Sequence, residues 1–365
     1  MRIDYIDGLR GFFALLVVYI HYSALFYVTL PTGFYNSCEM VCGFFVLSGF
    51  VLSCRFWQSR DLNLLTSAAV RRYIRLTFAP LVSILLAWFL MKEGLIFNRE
   101  VCALTKANEF MPLFFNFPVH LSAAFKEGLW NIYFDYNQIN SYNPVLWTMS
   151  WELKGSFLSF AFLALFGNFK NRGWIYLIFI ALTFKTLYLT FVFGIMFADM
   201  LYSQEGKKCR EFLKDKKIFS WILLLAGLFL LFYALNYHSV YDKMNFAFFA
   251  EHQMSAEDFY HILSSVMIIY AVIQLEVLQK IFDCKFFKLV GKYSFSLYVI
   301  HIPIMFSIGG IVFLKLFQAG YSSGFCIFAG TVASLLAIIP ATFLLHNDVD
   351  MPAGKLAKRF EKIFR

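Results

Sequence analysis

The chain is built from long apolar runs separated by short polar stretches, and that pattern decides its solvent. A helix crossing a hydrocarbon core about 30 Å thick needs roughly 20 mostly apolar residues. Ten runs approach that length: 7–28, 37–55, 73–91, 146–166, 173–184, 186–202, 218–236, 259–279, 292–315 and 323–345. Of the 365 residues, 60% are hydrophobic and 15% charged, where a soluble globule carries about a quarter charged. Forty-seven phenylalanines exceed what one soluble core needs. The expected fold class is all-α, a polytopic membrane protein of about ten transmembrane helices. No polar linker long enough to separate two domains interrupts it. Runs five and six are short, and could form one broken hairpin around Lys185.

Charge sets an orientation. The net charge of +9 is first a topology signal in such a chain, not a nucleic-acid signal. With the N-terminus in the cytoplasm, the cytoplasmic segments hold about 24 of the 32 Lys and Arg residues. These include Arg2 and Arg10, the group from Arg55 to Arg75, KKCREFLKDKK at 207–217, and Lys280 to Lys292. The external stretch 237–258 leans acidic. An even number of spans returns the C-terminus to the cytoplasm. Residues 1–345 then form the transmembrane domain. Residues 346–365, including KLAKRFEKIFR, form a basic amphipathic tail suited to anionic lipid.

The first run is expected to stay in the mature protein. Asp4 and Asp7 spoil a basic leader region, and no small-residue cleavage site follows. The seven cysteines are scattered without a C-x-x-C pair, so neither a disulfide framework nor a zinc site is expected. The longest stretch between runs is 92–146, rich in Phe, Tyr and Asn and punctuated by Pro112, Pro118 and Pro144. Its segment 113–125 is too short and broken to span, and reads as interfacial or re-entrant. The stretch is either a lid or acceptor platform or an irregular plug.

Polar residues inside the runs carry the chemistry. Arg10 and His21 are eleven residues apart, about three helical turns, so they share a face and are separated by roughly 16 Å of rise. Arg10 then lies at the cytoplasmic boundary and His21 near mid-membrane, where an ionisable group is costly and faces protein or water rather than lipid. Glu152 lies roughly 10 Å into the fourth run from outside. His301 lies roughly 13 Å into the ninth from inside. One such residue is readily structural. Two imidazoles and a carboxylate at one depth suggest a shared site, with the carboxylate fixing an imidazole that acts as general base on a hydroxyl.

Arg71, Arg72 and Arg75 precede the third run. Arg72 and Arg75 share a helical face, and their forked guanidinium groups suit phosphate oxygens. A plain positive-inside anchor is the alternative. In GFFVLSGFVLS at 43–53, the small residues Gly43, Ser48, Gly49 and Ser53 favour close helix packing over passage of a thin ligand arm beside Gly49. His120, His238 and His252 fall in external loops, His261 and His346 near interfaces, and Asp199 near a helix end.

Taken in order, IDGLRGFFALLVVYIH, FFVLSGFVLS, RRYIRL-x-x-x-P, LWTMSWEL and GKYSFSLYVIHIPI resemble the landmarks of the acyltransferase 3 family of integral-membrane acyltransferases, from residue 3 to about 305. DVDMP at 348–352 is faintly similar to the pattern at the family's C-terminal end. The resemblance implies a ten-helix enzyme that takes an acyl group, usually acetyl, from cytoplasmic acyl-CoA. The acceptor is a hydroxyl at the outer side, in a surface polysaccharide or glycolipid. It implies His21 as catalytic histidine, Arg10 as the motif arginine near the donor, and Arg72 and Arg75 as the pair holding CoA phosphates. Glu152 matches the first carboxylate of S-x-E-E; Leu153 replaces the second, and Lys154-Gly155-Ser156 also departs from the usual continuation. His301 matches the family's late histidine and, with Tyr298, is a candidate for substrate contacts.

The resemblance further implies acetyl-CoA as co-substrate with no permanently bound cofactor and no metal, and a bacterial inner membrane as location. The fused secreted hydrolase-like domain of some relatives is expected to be lacking here, so any acyl-accepting or assembly protein would be a separate partner. The rival reading is a proton-coupled small-solute transporter, since membrane-embedded His and Glu serve there too. No repeat between halves and no matched broken helices support it.

Overall fold

The computed structural model describes residues 3–26, 38–107, 110–232 and 255–363, and every regular element among them is helical. The acidic stretch 237–254, with His238 and His252, lies outside the described residues. Among the described residues, five helices are long and apolar enough to cross a membrane: Asp4–Phe26, Cys38–Ser59, Leu62–Lys92, Lys285–Gln318 and Ser323–Glu361. A sixth candidate is a pair ending in Gln274 and resuming at Glu276, bent by 99°. Leu275, in extended conformation, makes the bend. Gly173–Thr183, Tyr188–Tyr202 and Lys217–Leu231 are apolar but shorter. The helix Thr148–Phe166 has 19 residues, with Glu152 and Lys154 near its start lowering its mean hydropathy.

Several boundaries differ from expectation for visible reasons. The third helix begins at Leu62 rather than at 73, so Arg71, Arg72 and Arg75 lie within a continuous 31-residue helix instead of ahead of one. At 1.5 Å per residue that helix is about 46 Å long, more than a hydrocarbon core requires. Lys185, with φ of 64°, breaks the fifth run from the sixth as expected of a left-handed residue. The last helix does not end at 345. It passes through a π-turn, Leu345–Asp350, into Met351–Glu361, so the basic tail continues the final helix.

The chain divides into two compact units. The first comprises Met1–Phe13, Pro31–Val70 and Trp151–Gly291. Its centre is the pairing of Cys38–Ser59 with Tyr188–Tyr202, made at two glycines. A Cβ on Gly49 would sit 2.5 Å from the Phe191 carbonyl oxygen, and one on Gly194 would sit 2.2 Å from that of Val46. Gly49 is therefore a packing residue, the favoured of the two sequence readings. The same device serves Gly8 of the first landmark and Gly291 of the last. A Cβ on Gly8 would meet the Phe282 carbonyl oxygen at 1.7 Å, and one on Gly291 that of Asp7 at 1.8 Å. The helix Ala256–Gln274 completes this unit against Cys38–Ser59 and Lys217–Phe232. Asp199 is structural: its two carboxylate oxygens accept from Nε and Nη2 along one edge of the buried Arg172 guanidinium and, at 2.9 Å, from the Tyr176 hydroxyl.

The second unit comprises Ala14–Leu30, Arg71–Ser150 and Lys292–Arg365. Here the stretch 92–146 is ordered into short helical turns pinned by buried polar side chains. Asn98 Nδ2 donates to the carbonyls of Met111 (2.9 Å) and Phe114 (3.2 Å). The Phe97 amide donates to the Phe306 carbonyl at 3.0 Å. Pro303 stands inside the ninth-run helix and has no N–H for the Val299 carbonyl one turn back. The fully buried Asn143 supplies the missing donor: its Nδ2 lies 2.7 Å from Val299 O and 3.0 Å from Ser83 Oγ. A π-turn at Met305–Gly309 then carries the chain on to Gly310–Gln318.

Candidate active site

The second unit brings two of the expected residues together. His301 Nε2 lies 3.0 Å from His21 Nδ1, with ring centroids 5.0 Å apart. His301 is fully buried and His21 half-buried. Both imidazoles thus turn toward protein, the outcome expected of costly groups in an apolar helix. His301 sits where its helix is shaped by Pro303 and held by Asn143.

Hydrogen bonding fixes the tautomers. His301 Nδ1 lies 3.2 Å from the carbonyl oxygen of Leu297, which can only accept. Nδ1 therefore carries the proton, and Nε2 of a neutral His301 is an acceptor. The proton between the rings then belongs to His21 Nδ1. That leaves His21 Nε2 with its lone pair, the form a general base needs. The chain of bonds runs from a backbone carbonyl through one imidazole to the reactive nitrogen of another. Within this unit it is His301 that meets His21 Nδ1.

Tyr298, one turn before His301, is committed to the fold. Its hydroxyl donates to the Val145 carbonyl at 2.6 Å and lies 3.0 Å from Thr148 Oγ1. Its ring is 6.2 Å from that of His301. These bonds make it a wall beside His301. Arg72 and Arg75 lie three residues apart on one helix, Arg72 half-buried and Arg75 exposed. Arg71 pairs with Glu361 at 3.2 Å, which ties the tail to the third helix. In the same unit Glu127 is buried in the ordered stretch, accepting from Ser141 Oγ (2.6 Å) and the Tyr142 amide (3.0 Å). Burial outweighs these bonds and pushes its carboxyl up to about 7.

In the first unit, Glu152 is half-buried and accepts from Ser48 Oγ at 2.6 Å. Ser48 belongs to FFVLSGFVLS, so two of the landmark segments meet at this bond. Arg10 is half-buried on the unbroken helix Asp4–Phe26 that also carries His21. Asn143 and Ser48 carry bonds that sequence reasoning did not assign. The available signals were Pro303, which obliges a donor for Val299, and the serine among the glycines at 43–53.

The family described as an acyltransferase domain matches residues 3–345. The chain is similar to acyltransferase R4 of Phoma sp., 21% identical over 406 residues, covering 93% of this chain and 84% of that protein. No solved structure matches the chain. With five long apolar helices and a family match over nearly its whole length, the chain is a multi-pass integral membrane protein that belongs to the acyltransferase 3 family.

Proposed function

We propose that the protein is a membrane O-acetyltransferase that moves an acetyl group from cytoplasmic acetyl-CoA to a hydroxyl of an exported polysaccharide or glycolipid. The single observation that carries this reading is the His21–His301 pair, which leaves His21 Nε2 as an acceptor of protons. In this proposal the chain crosses the cytoplasmic membrane ten times, with both termini inside.

The donor nucleotide binds Arg72 and Arg75 through its phosphates, and the family resemblance assigns Arg10 to the same donor. The pantetheine arm runs along the helix face that carries Arg10 and His21. His21 Nε2 takes the acceptor hydroxyl proton as the oxygen attacks the thioester carbonyl. The C–S bond then breaks, and the imidazolium returns its proton to the departing thiolate. The products are the O-acetyl ester and CoA thiol. Glu152, held by Ser48, is the carboxylate that the resemblance assigns to the same reaction.

Labelled acetyl-CoA supplied to native membranes tests the proposal. Label should appear in a base-labile glycan or lipid fraction and vanish with His21→Ala. Transfer that survives His21→Ala, or solute flux without any acyl transfer, refutes it. With Arg72→Ala, CoA affinity should weaken and lose part of its salt sensitivity; unchanged affinity removes this arginine from the donor site.

A further inference from the structure

The first unit contains a cluster of ligand-type side chains unused by the proposed reaction. Cys38 Sγ, a carboxylate oxygen of Asp258 and a ring nitrogen of His261 all lie within 4.8 Å of one another. Cys38 and His261 are buried and Asp258 is half-buried. Cys42, one helical turn after Cys38, brings a fourth donor, with the two sulfurs 4.0 Å apart. Asp258 is within electrostatic reach of both thiols.

The geometry points to a structural zinc site formed by Cys38, Cys42, Asp258 and His261. Two thiolates, an imidazole and a carboxylate are donors that tetrahedral Zn²⁺ accepts. At Zn–S distances near 2.3 Å, two thiolates on a tetrahedral ion stand about 3.8 Å apart, close to the separation found here. The Cys38, Asp258 and His261 donors, within 4.8 Å of one another, draw inward on the ion to reach ordinary zinc distances. The sequence spacing is also regular. Cys38 and Cys42 are one turn apart on one helix, and Asp258 and His261 are i and i+3 on the next, so each helix presents two donors on one face. A search for C-x-x-C pairs passes over this spacing.

Two further observations support a cation here. Asp258 is already oriented: Ser255 Oγ donates to its Oδ2 at 2.8 Å and caps the helix by accepting from its amide at 3.1 Å. Hydrogen-bonded outer partners of this kind accompany ligating carboxylates. Next to Cys38, the buried Glu39 takes hydroxyls from Ser264 (2.9 Å) and Ser265 (3.0 Å) on its Oε1. Among the described residues no lysine or arginine forms an ion pair with Glu39 or Asp258. On binding, the two thiols release their protons to solvent and His261 enters neutral, so affinity rises with pH. The ion would join the first residues of the helix Cys38–Ser59 to the first turn of Ala256–Gln274.

The test uses the full chain in detergent and no acyl-transfer readout. Purified protein should hold about one zinc per chain. After chelation, titration with Co²⁺ should give the intense visible bands of tetrahedral thiolate coordination, saturating at one equivalent. Cys38→Ser and His261→Ala should lose the bands, and Cys54→Ser, on the same helix but outside the cluster, should keep them. Ser255→Ala should weaken the metal by about ten- to hundredfold while leaving the ligands in place. The wild-type titration stands even if a ligand variant fails to fold. Co²⁺ spectra without thiolate bands, equal metal content in Cys38→Ser, or a Cys38–Cys42 disulfide in the native protein would overturn the proposal.

Discussion

His301 Nε2 lies 3.0 Å from Nδ1 of His21, and the Leu297 carbonyl on the far side of His301 dictates which ring gives and which receives. In the proposed reaction His301 is therefore a positioning residue. His301→Leu removes the acceptor for His21 Nδ1–H and should lower kcat by about a hundredfold or more with little change in KM. His301→Gln keeps an acceptor oxygen and should retain more activity than the Leu variant. Turnover measured in native membranes distinguishes them; equal losses would mean that His301 acts only through packing.

The bond from Asn143 to Val299 predicts a conditional stability effect. Asn143→Ala strands a buried carbonyl and should cost about 1–3 kcal/mol. Pro303→Ala restores the backbone N–H, so the double variant should recover part of that loss. Thermal unfolding of the four detergent-solubilised proteins closes the cycle, and strict additivity of the two changes would refute the compensation.

Glu127 gives a pH dependence with a definite sign. Its folded carboxyl lies at about 7, against 4.5 for a free glutamate, so the fold favours the protonated form. The associated stability is full below 4.5 and is lost as pH rises through 7, a difference of about 3 kcal/mol across that window. Proteolytic resistance of 92–146 should fall from pH 5 to pH 8, and Glu127→Gln should flatten the profile. A wild-type profile that is already flat would count against it.

Glu152→Gln keeps an oxygen for Ser48 Oγ and removes the charge. Folding should be unchanged and acetyl transfer reduced at least tenfold, the lower range for charge-assisted effects of about 1.5–3 kcal/mol. Full activity with normal expression would exclude a charge requirement at this position.

Close helix contact at Gly49 and Gly194 predicts that either Gly→Ala change forces the backbones apart, at about 1–3 kcal/mol. Gly324→Ala, where an added Cβ meets nothing within 4 Å, is the matched control. Melting temperatures in detergent decide, and equal values for Gly49→Ala and Gly324→Ala would contradict the packing account.

Much of this was legible before any coordinates. Apolar run length located the helices, because lipid leaves an isolated segment no other way to satisfy its backbone. The depth of His21 and His301 suggested that they share a level, since rise per residue is fixed. Azimuth was not legible: the spacing could not say that His301 faces His21 Nδ1. Helix ends were missed at Leu62 and after 345 because polar helical turns continue beyond the apolar stretch, where hydropathy no longer marks them. The order within 92–146 was hidden because its anchors, Asn98, Glu127 and Asn143, are residue types that ordinarily stay wet.

One of those anchors ties catalysis to the order in which the chain matures. The helix carrying His301 is incomplete on its own, one carbonyl short of a donor, and the donor arrives from a segment made more than a hundred residues earlier. A nascent chain whose 92–146 stretch has not yet condensed therefore carries its second imidazole on an unfinished scaffold. In the proposed reaction the base becomes competent only when that stretch has closed, so half-assembled copies would leave the acyl donor untouched.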